Sequence, residues 1–440
     1  MTIQPDAPPT LAAGHDAGTD ARRPALSDRA GEALLRRFLG GIVRTGTLRL
    51  RLPSGRCVAI GGGSPQVGVR LTSPATVWRL LTNPELALGE AYMDGTLVME
   101  QGSIYDLLAL ALANMGGARG PGLMRLNAAL RKAMRRFAQH NPVARARANV
   151  AHHYDLSDEL YELFLDGQRQ YSCAYFTASD DTLDQAQDNK IRHIAAKLLL
   201  RPGQRVLDIG SGWGGLAIRL AQDAGVGVTG LTLSAEQHRH ATDRAAEAGV
   251  QDHVSFHLRD YREEEGRYDR IVSVGMFEHV GVPHYRAYFD RIARMLAEDG
   301  VALVHTIGAA HGPSAANPWI AKYIFPGGYV PALSEIMPAI ERAGLHVTDI
   351  EVLRLHYART LRAWRDRFMA RRERAAALYD DRFCRMWEFY LASCEAAFRH
   401  SGLVVFQIQL ARRVDAVPIT RDYIAAAERP ARGALAEALS

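Results

Sequence analysis

The chain has 440 residues, 48% hydrophobic and 23% charged, with a net charge of +5 and a pI near 9.0. At about 100–200 residues per domain this is an ordinary globular balance for two or three domains. It contains no run of 18 apolar residues, which excludes a helical membrane span. The mild basicity by itself fits nucleic acid, an anionic membrane surface or no particular partner. The four cysteines, Cys57, Cys173, Cys384 and Cys394, show no CxxC spacing. That argues against a zinc site or a disulfide framework and for a reducing compartment.

Residues 1–30 are rich in Ala, Pro, Asp and Thr and lack an apolar h-region, so they read as a disordered tail and not a signal peptide. A first domain is expected over 31–141. Its "GTLRLRLPSGRCVAIGG" alternates on both sides of Pro-Ser-Gly and predicts a β-hairpin. "SPATVWRLLTNPELALGEAYMDG" predicts a helix with a Ser-Pro start, and "SIYDLLALALANM" predicts another. Between Asp106 and Asp155 there is no acidic residue, while Arg119, Arg125, Arg131, Lys132, Arg135, Arg136, Arg145 and Arg147 all occur. "LNAALRKAMRRFAQH" in that window has helical spacing, so the stretch is either a solvated helix face or a peripheral membrane patch.

The second domain, expected over 142–430, alternates strands and helices. Candidate strands are "QRVLDIG", "VGVTGLTL", "HVSFHL", "YDRIVSVG", "GVALVHTI", "LHVTDIEVL" and "LVVFQIQLAR", with helical patterns between the first five. This predicts an α/β fold with a doubly wound, mostly parallel seven-stranded sheet. "VLDIGSGWGGLAIRLAQ" runs a strand into Gly210, Gly212, Gly214 and Gly215 and then a helix, a turn that lets a ligand approach the backbone. Asp208 before the first glycine fits an S-adenosylmethionine loop. No acidic residue ends the second strand to bind an NAD ribose. Thr232, Ser234 and Gln237 offer hydrogen bonds there, and Asp260 and Tyr261 follow the third strand.

"VGMFEHVG" sets Glu278 and His279 after the fourth strand, "ALVHTIG" sets His305 and Ile307 at the end of the fifth, and Tyr357 follows the sixth. On such a sheet these reach one rim, where a carboxylate, an imidazole and a phenol can orient a small ion or a proton acceptor. Taken singly, His305 reads as core, Tyr357 as packing and Glu278 as a helix N-terminal carboxylate. Cys394 in "YLASCEAAF" lies on an apolar helical face and reads as packing more than as a nucleophile.

At this point the sequence resembles the cyclopropane-fatty-acyl-phospholipid synthases, relatives of the mycolic acid cyclopropane synthases. The resemblance rests on "GEAYMDG", "NVAHHYDLSDELYELFLD", "QYSCAYF", "VLDIGSGWGG", "LTLSAEQ", "MFEHVG", "VHTIG", "KYIFPGGYVP", "TLRAW" and "VVFQIQLARR" in that order. It implies a class I methyltransferase in which an acyl-chain alkene attacks the S-adenosylmethionine methyl. The resulting cation then loses a proton to a bound bicarbonate and closes a cyclopropane ring. It also implies that Cys173 and Ile307 hold that anion through backbone amides, and Glu278, His305 and Tyr357 through side chains. Tyr171 and Ser172, with Trp213 of the glycine loop, would contact the cofactor, and Cys394 matches a cysteine once thought nucleophilic. The aromatic rings of Tyr175 and Phe176 are expected to suit a cation.

The resemblance shifts the Arg119 to Arg147 stretch toward membrane docking. It implies a cytoplasmic protein peripheral to the inner face of the membrane, with unsaturated phospholipid as partner, no metal, no nucleic acid and a homodimer. A methyl- or methylene-branched product is equally compatible with these residues. A methyltransferase acting on RNA is disfavoured by the lack of a recognisable RNA-binding module, and a relic fold by the intact residue set.

Overall fold

Two separate sheets organise the chain. The computed structural model describes residues 26–115, 129–131 and 157–428. The tail 1–25 and nearly all of the basic Arg119 to Arg147 stretch lie outside the described residues. Residues 26–30, expected in the tail, instead open the helix Leu26–Gly40, whose buried Glu32 accepts hydrogen bonds from Ser54 N (3.0 Å) and Oγ (2.8 Å).

Ser54 sits in the Pro-Ser-Gly turn. The predicted hairpin is β1 (Gly46–Arg51) paired antiparallel with β2 (Cys57–Gly62), with Gly55 at φ +85° in the turn. β3 (Gln66–Leu71) runs parallel to β1, and β4 (Leu97–Gln101) antiparallel to β3, giving the order β2-β1-β3-β4. The single helix expected over "SPATVWRLLTNPELALGEAYMDG" is two, Pro74–Thr82 and Pro84–Met93. Pro84 supplies no N–H and disfavours helical backbone at Asn83, which sits at φ −144°, ψ 69°.

All seven predicted strands form one sheet. They are β5 (Arg205–Ile209), β6 (Gly227–Thr232), β7 (Val254–Leu258), β8 (Tyr268–Val274), β9 (Leu296–Ala309), β10 (His346–Leu353) and β11 (Leu403–Ala411), in the order β10-β11-β9-β8-β5-β6-β7. Only β11 runs against the others. Helices cross between β5 and β6, β6 and β7, and β8 and β9. From β7 to β8 the short link allows only a 3-10 turn, Tyr261–Glu263, where a helical pattern was expected.

Apolar cores lie on both faces of this sheet. A third core joins the amino-terminal sheet to the helices His356–Ala370 and Asp381–His400, so both parts share one interior. The chain reverses direction between β5 and β8, and that switch point leaves a crevice beyond the strands' carboxyl ends.

Phe256 packs beneath the glycine loop because Gly230 on β6 has no side chain. A Cβ there would lie 2.5 Å from the Phe256 ring and 2.9 Å from Ser211 Cβ. Gly230→Ala is therefore expected to cost about 1–3 kcal/mol by overpacking. Circular dichroism melts should show a lower Tm, and an unchanged Tm would refute this account of the loop's support.

Candidate active site

The crevice is a cavity built on the turn after β5. Gly210, Gly212 and Gly214 hold φ of +88°, +54° and +80°, a region that only glycine adopts without strain. The Gly210 and Ser211 amides both donate to Leu231 O at 2.9 Å, tying the loop to β6. Trp213 Nε1 donates to Asp158 Oδ1 (2.8 Å), and Arg244 donates to Trp213 O (3.1 Å) and Gln168 Oε1 (2.7 Å). These bonds draw the segment 158–172 across the loop as a wall of the cavity.

Of the residues singled out for a cofactor, Asp208, Gly210, Gly212, Trp213, Thr232, Gln237, Asp260, Tyr261, Tyr171 and Ser172 all line it. Gly214 and Ser234 act one step back. Gly214 caps the helix Gly215–Ala224 against Phe256 and Ala241, and Ser234 caps Ala235–Glu247 by accepting from Gln237 N at 3.3 Å. Thr232 Oγ1 donates to Gln237 Oε1 at 3.0 Å. Asp260 is held on both oxygens by Arg262, at 2.8 and 2.7 Å. Asp208 is 1% exposed and its Oδ2 has no hydrogen-bond partner among the described residues. Burial pushes its pKa up to about 7 against the opposing charge of Lys190. An orphaned carboxyl oxygen among open backbone fits a ligand rich in donors, as S-adenosylmethionine is.

Lys190 escaped the sequence reading. It is wholly buried, donates to Gln170 Oε1 (2.5 Å) and Ser172 Oγ (2.9 Å), and has its pKa lowered to about 8 by burial. Gln187 Nε2 donates to the Gln170 and Ser172 carbonyls at 3.3 and 3.1 Å. The available signal was Gln187, Lys190, His193 and Lys197, polar residues at helical spacing on the buried side of Leu183–Lys197. Cys173 follows directly, 1% exposed, its thiol pKa raised by burial. Tyr171 OH meets Tyr390 OH at 2.8 Å and its ring stacks on Trp364 at 5.2 Å.

One expectation is corrected. Tyr175 offers no free face to a substrate cation, and Phe176 already has Arg359 on its ring. Tyr175 is sandwiched between His193 (4.1 Å) and His356 (4.9 Å), and Arg359 covers Phe176 at 3.9 Å. Tyr171, Trp364 and Tyr390 supply the aromatic surface near Cys173.

Beyond the cavity, Glu278 Oε1 accepts from Ile307 N at 2.7 Å, while Oε2 is buried without a hydrogen-bond partner among the described residues. The Ile307 amide, expected to hold an anion, therefore holds Glu278. Burial raises the Glu278 pKa to about 7, against the backbone hydrogen bond from Ile307. His305 lies two residues earlier on the same face of β9, its pKa lowered to about 3 by burial, so it is neutral. Its Nδ1 meets Gln407 Nε2 of β11 at 3.2 Å. With that amide donating, Nε2 is the nitrogen that carries the proton. Gln407, too, was missed. Tyr357 is nearly buried, its ring 5.8 Å from Trp364 and 4.9 Å from Phe398. Burial pushes the Cys394 pKa up to about 12, so it is a thiol at neutral pH. His279 lines the cofactor cavity with its pKa lowered to about 4 by burial.

The profile of the mycolic acid cyclopropane synthetase family matches residues 142–408. The cyclopropane-fatty-acyl-phospholipid synthase of Escherichia coli K12 is 38% identical over 360 residues, 81% of this chain and 91% of that one. The chain belongs to the mycolic acid cyclopropane synthetase family. It is an S-adenosylmethionine-dependent methyltransferase. A probable fatty acid methyltransferase of Pseudomonas putida is also 38% identical, over 82% of this chain and 91% of its own. A mycolic acid cyclopropane synthase solved in complex with SAH and CTAB, 36% identical, aligns with a TM-score of 0.57 over 61% of this chain and 98% of its own. Residues 42–118 match a second profile, described as a domain of unknown function.

Two outcomes are expected of this methyltransferase. Because Glu278 titrates near pH 7 when folded and near 4.5 when unfolded, burying it costs nothing below 4.5. The cost grows as pH rises toward 7, to on the order of 3 kcal/mol. Glu278→Gln should therefore gain stability relative to the native chain between pH 5 and 8, and parallel denaturation curves across that range would contradict the assignment. Cys394→Ala should lose less than about tenfold in methyl transfer to liposomes, since removing a true nucleophile costs orders of magnitude. A loss of that larger size in a folded variant would restore the nucleophile reading.

Proposed function

We propose that the chain transfers a one-carbon unit from S-adenosylmethionine to the cis double bond of an unsaturated phospholipid acyl chain and closes it to a cyclopropane ring. The observation that carries this reading is the pairing behind the cofactor cavity. Glu278 keeps one oxygen on Ile307 N and one orphaned, with neutral His305 two residues from Ile307. A carboxyl titrating near 7 and a neutral imidazole can both donate to a small anion. In this reading Glu278, His305, Tyr357 and the Cys173 amide hold bicarbonate, and Ile307 fixes Glu278. A bicarbonate held there supplies the base that takes the proton from the new methyl group.

The rest of the site suits a short-lived cation. Tyr171, Trp364, Tyr357 and Phe398 form a continuous aromatic wall. Such a wall excludes water and offers ring faces to positive charge. No helix among the described residues is long and apolar enough to cross a membrane. The enzyme would meet its lipid from the cytoplasmic surface through the basic Arg119 to Arg147 stretch, at ~1 kcal/mol per basic residue near anionic lipid. A homodimer belongs to the same reading.

A second reading has its own support, because the Pseudomonas putida relative carries the name of a fatty acid methyltransferase. The same cation could then yield a methyl- or methylene-branched chain. One experiment separates the readings: the purified protein, liposomes of unsaturated phospholipid, and S-adenosylmethionine with a fully deuterated methyl, followed by mass spectrometry of the fatty acid methyl esters. The expected product gains one carbon, keeps two deuterons and has no alkene. Three deuterons, or two with an alkene, would establish branching. No mass gain in any lipid would overturn both.

A further inference from the structure

The stretch "GEAYMDG" of the amino-terminal part has no role in the cofactor cavity or the Glu278 cluster, yet five of its residues touch the carboxyl-terminal half. Gly89 lies against Trp319, where a Cβ would come within 2.4 Å of Nε1. Tyr92 OH donates to Glu388 Oε2 at 2.7 Å. Met93 O accepts from Arg385 at 2.8 Å, and Asp94 from Arg382 at 2.9 Å. Glu90 is the most heavily engaged. It is 7% exposed, and its Oε1 accepts from Lys322 Nζ (2.7 Å) and Tyr323 OH (2.9 Å) while Oε2 pairs with Arg79. Burial opposes its charge, but these hydrogen bonds and cations prevail and hold its pKa below the usual carboxylate value.

What Glu90 grips leads directly into the cavity. Lys322 and Tyr323 end the short helix Pro318–Tyr323, whose start Asn317 caps at 2.9 Å. Next in the chain, the Phe325 ring lies 5.9 Å from both His279 and Tyr390. Pro326 and Gly327 then line the cofactor cavity. Tyr329 N donates to the Glu278 carbonyl at 3.0 Å. The run from 322 to 329 is thus fastened at one end to a carboxylate of the amino-terminal part and at the other to the backbone of Glu278.

We infer that Glu90 is a positioning residue, through which the amino-terminal part sets the 322–329 segment against the cofactor and against Glu278. The amino-terminal part is then a fixed strut for the cavity wall. The claim about Glu278 rests on the function proposed above; the claim about the cofactor does not. Cofactor affinity is therefore the readout, and it survives if the lipid reaction is misassigned.

The test is isothermal titration of S-adenosylhomocysteine into the full chain and four variants. Glu90→Leu should bind about tenfold more weakly, and Lys322→Met about threefold. The double variant should bind no worse than Glu90→Leu, because both break one linkage. Tyr92→Phe, which loosens docking on another helix, should lower Tm without changing affinity. Native affinity in folded Glu90→Leu would overturn the inference, as would an equal loss in Tyr92→Phe. If Glu90→Leu does not fold, native affinity in Lys322→Met, whose side chain is 54% exposed, would overturn it equally.

Discussion

A buried ammonium governs the site. Lys190 has no exposed surface, and an ion that deep is costly unless hydrogen bonds and opposite charge compensate it. Gln170 and Ser172 engage it directly, and the carboxyl groups of Asp166 and Asp208 bear on it. Two hydrogen bonds from this cation hold residues 170 and 172 in place. Tyr171 and Ser172 then line the cavity beyond β5, and Cys173 is buried next to them. One cation thus sets a segment far from it in sequence against the end of β5.

The same interior explains two unusual acids. Asp208 and Glu278 lie at the ends of different strands, and burial moves both toward neutral pH. Each keeps an oxygen without a hydrogen-bond partner among the described residues. Both carboxyl groups therefore sit where a nearby charge would shift their protonation, in surroundings where electrostatic terms are larger than in water. The aromatic wall from Tyr171 to Phe398 adds ring faces and no competing charge.

The strands were legible because each is a short apolar run bounded by turn residues, and the Pro-Ser-Gly hairpin carried its own turn chemistry. The glycine turn after β5 was legible for the same local reason. What failed was non-local. The pattern around Asn83 continued across a helix break that Pro84 imposes. The residues after β7 are too few for the helix expected there. Tyr175 and Phe176 sit beside Cys173 in sequence, but their rings pack on His193, His356 and Arg359, which come from other elements and which no local pattern shows. Lys190 and Gln407 were missed because each partner lies on another element: spacing shows that a polar residue is buried, not what buries it. The Ile307 amide was assigned to an anion because no pattern shows a carboxylate from another strand end already on it.

The helix Asp381–His400 has a further consequence. It buries Trp387, Tyr390 and Leu391 and also Phe389, whose ring lies 4.6 Å from Trp319 and 6.3 Å from Tyr92. A helix apolar on more than one side needs a cover on each. In this chain the amino-terminal part provides one of them. Removing that part would uncover this side of the helix. A gene fragment starting beyond residue 115 would encode a helix with a water-facing aromatic strip. It would persist only if that strip were recoded as polar, or if a lipid or another polypeptide came to lie over it.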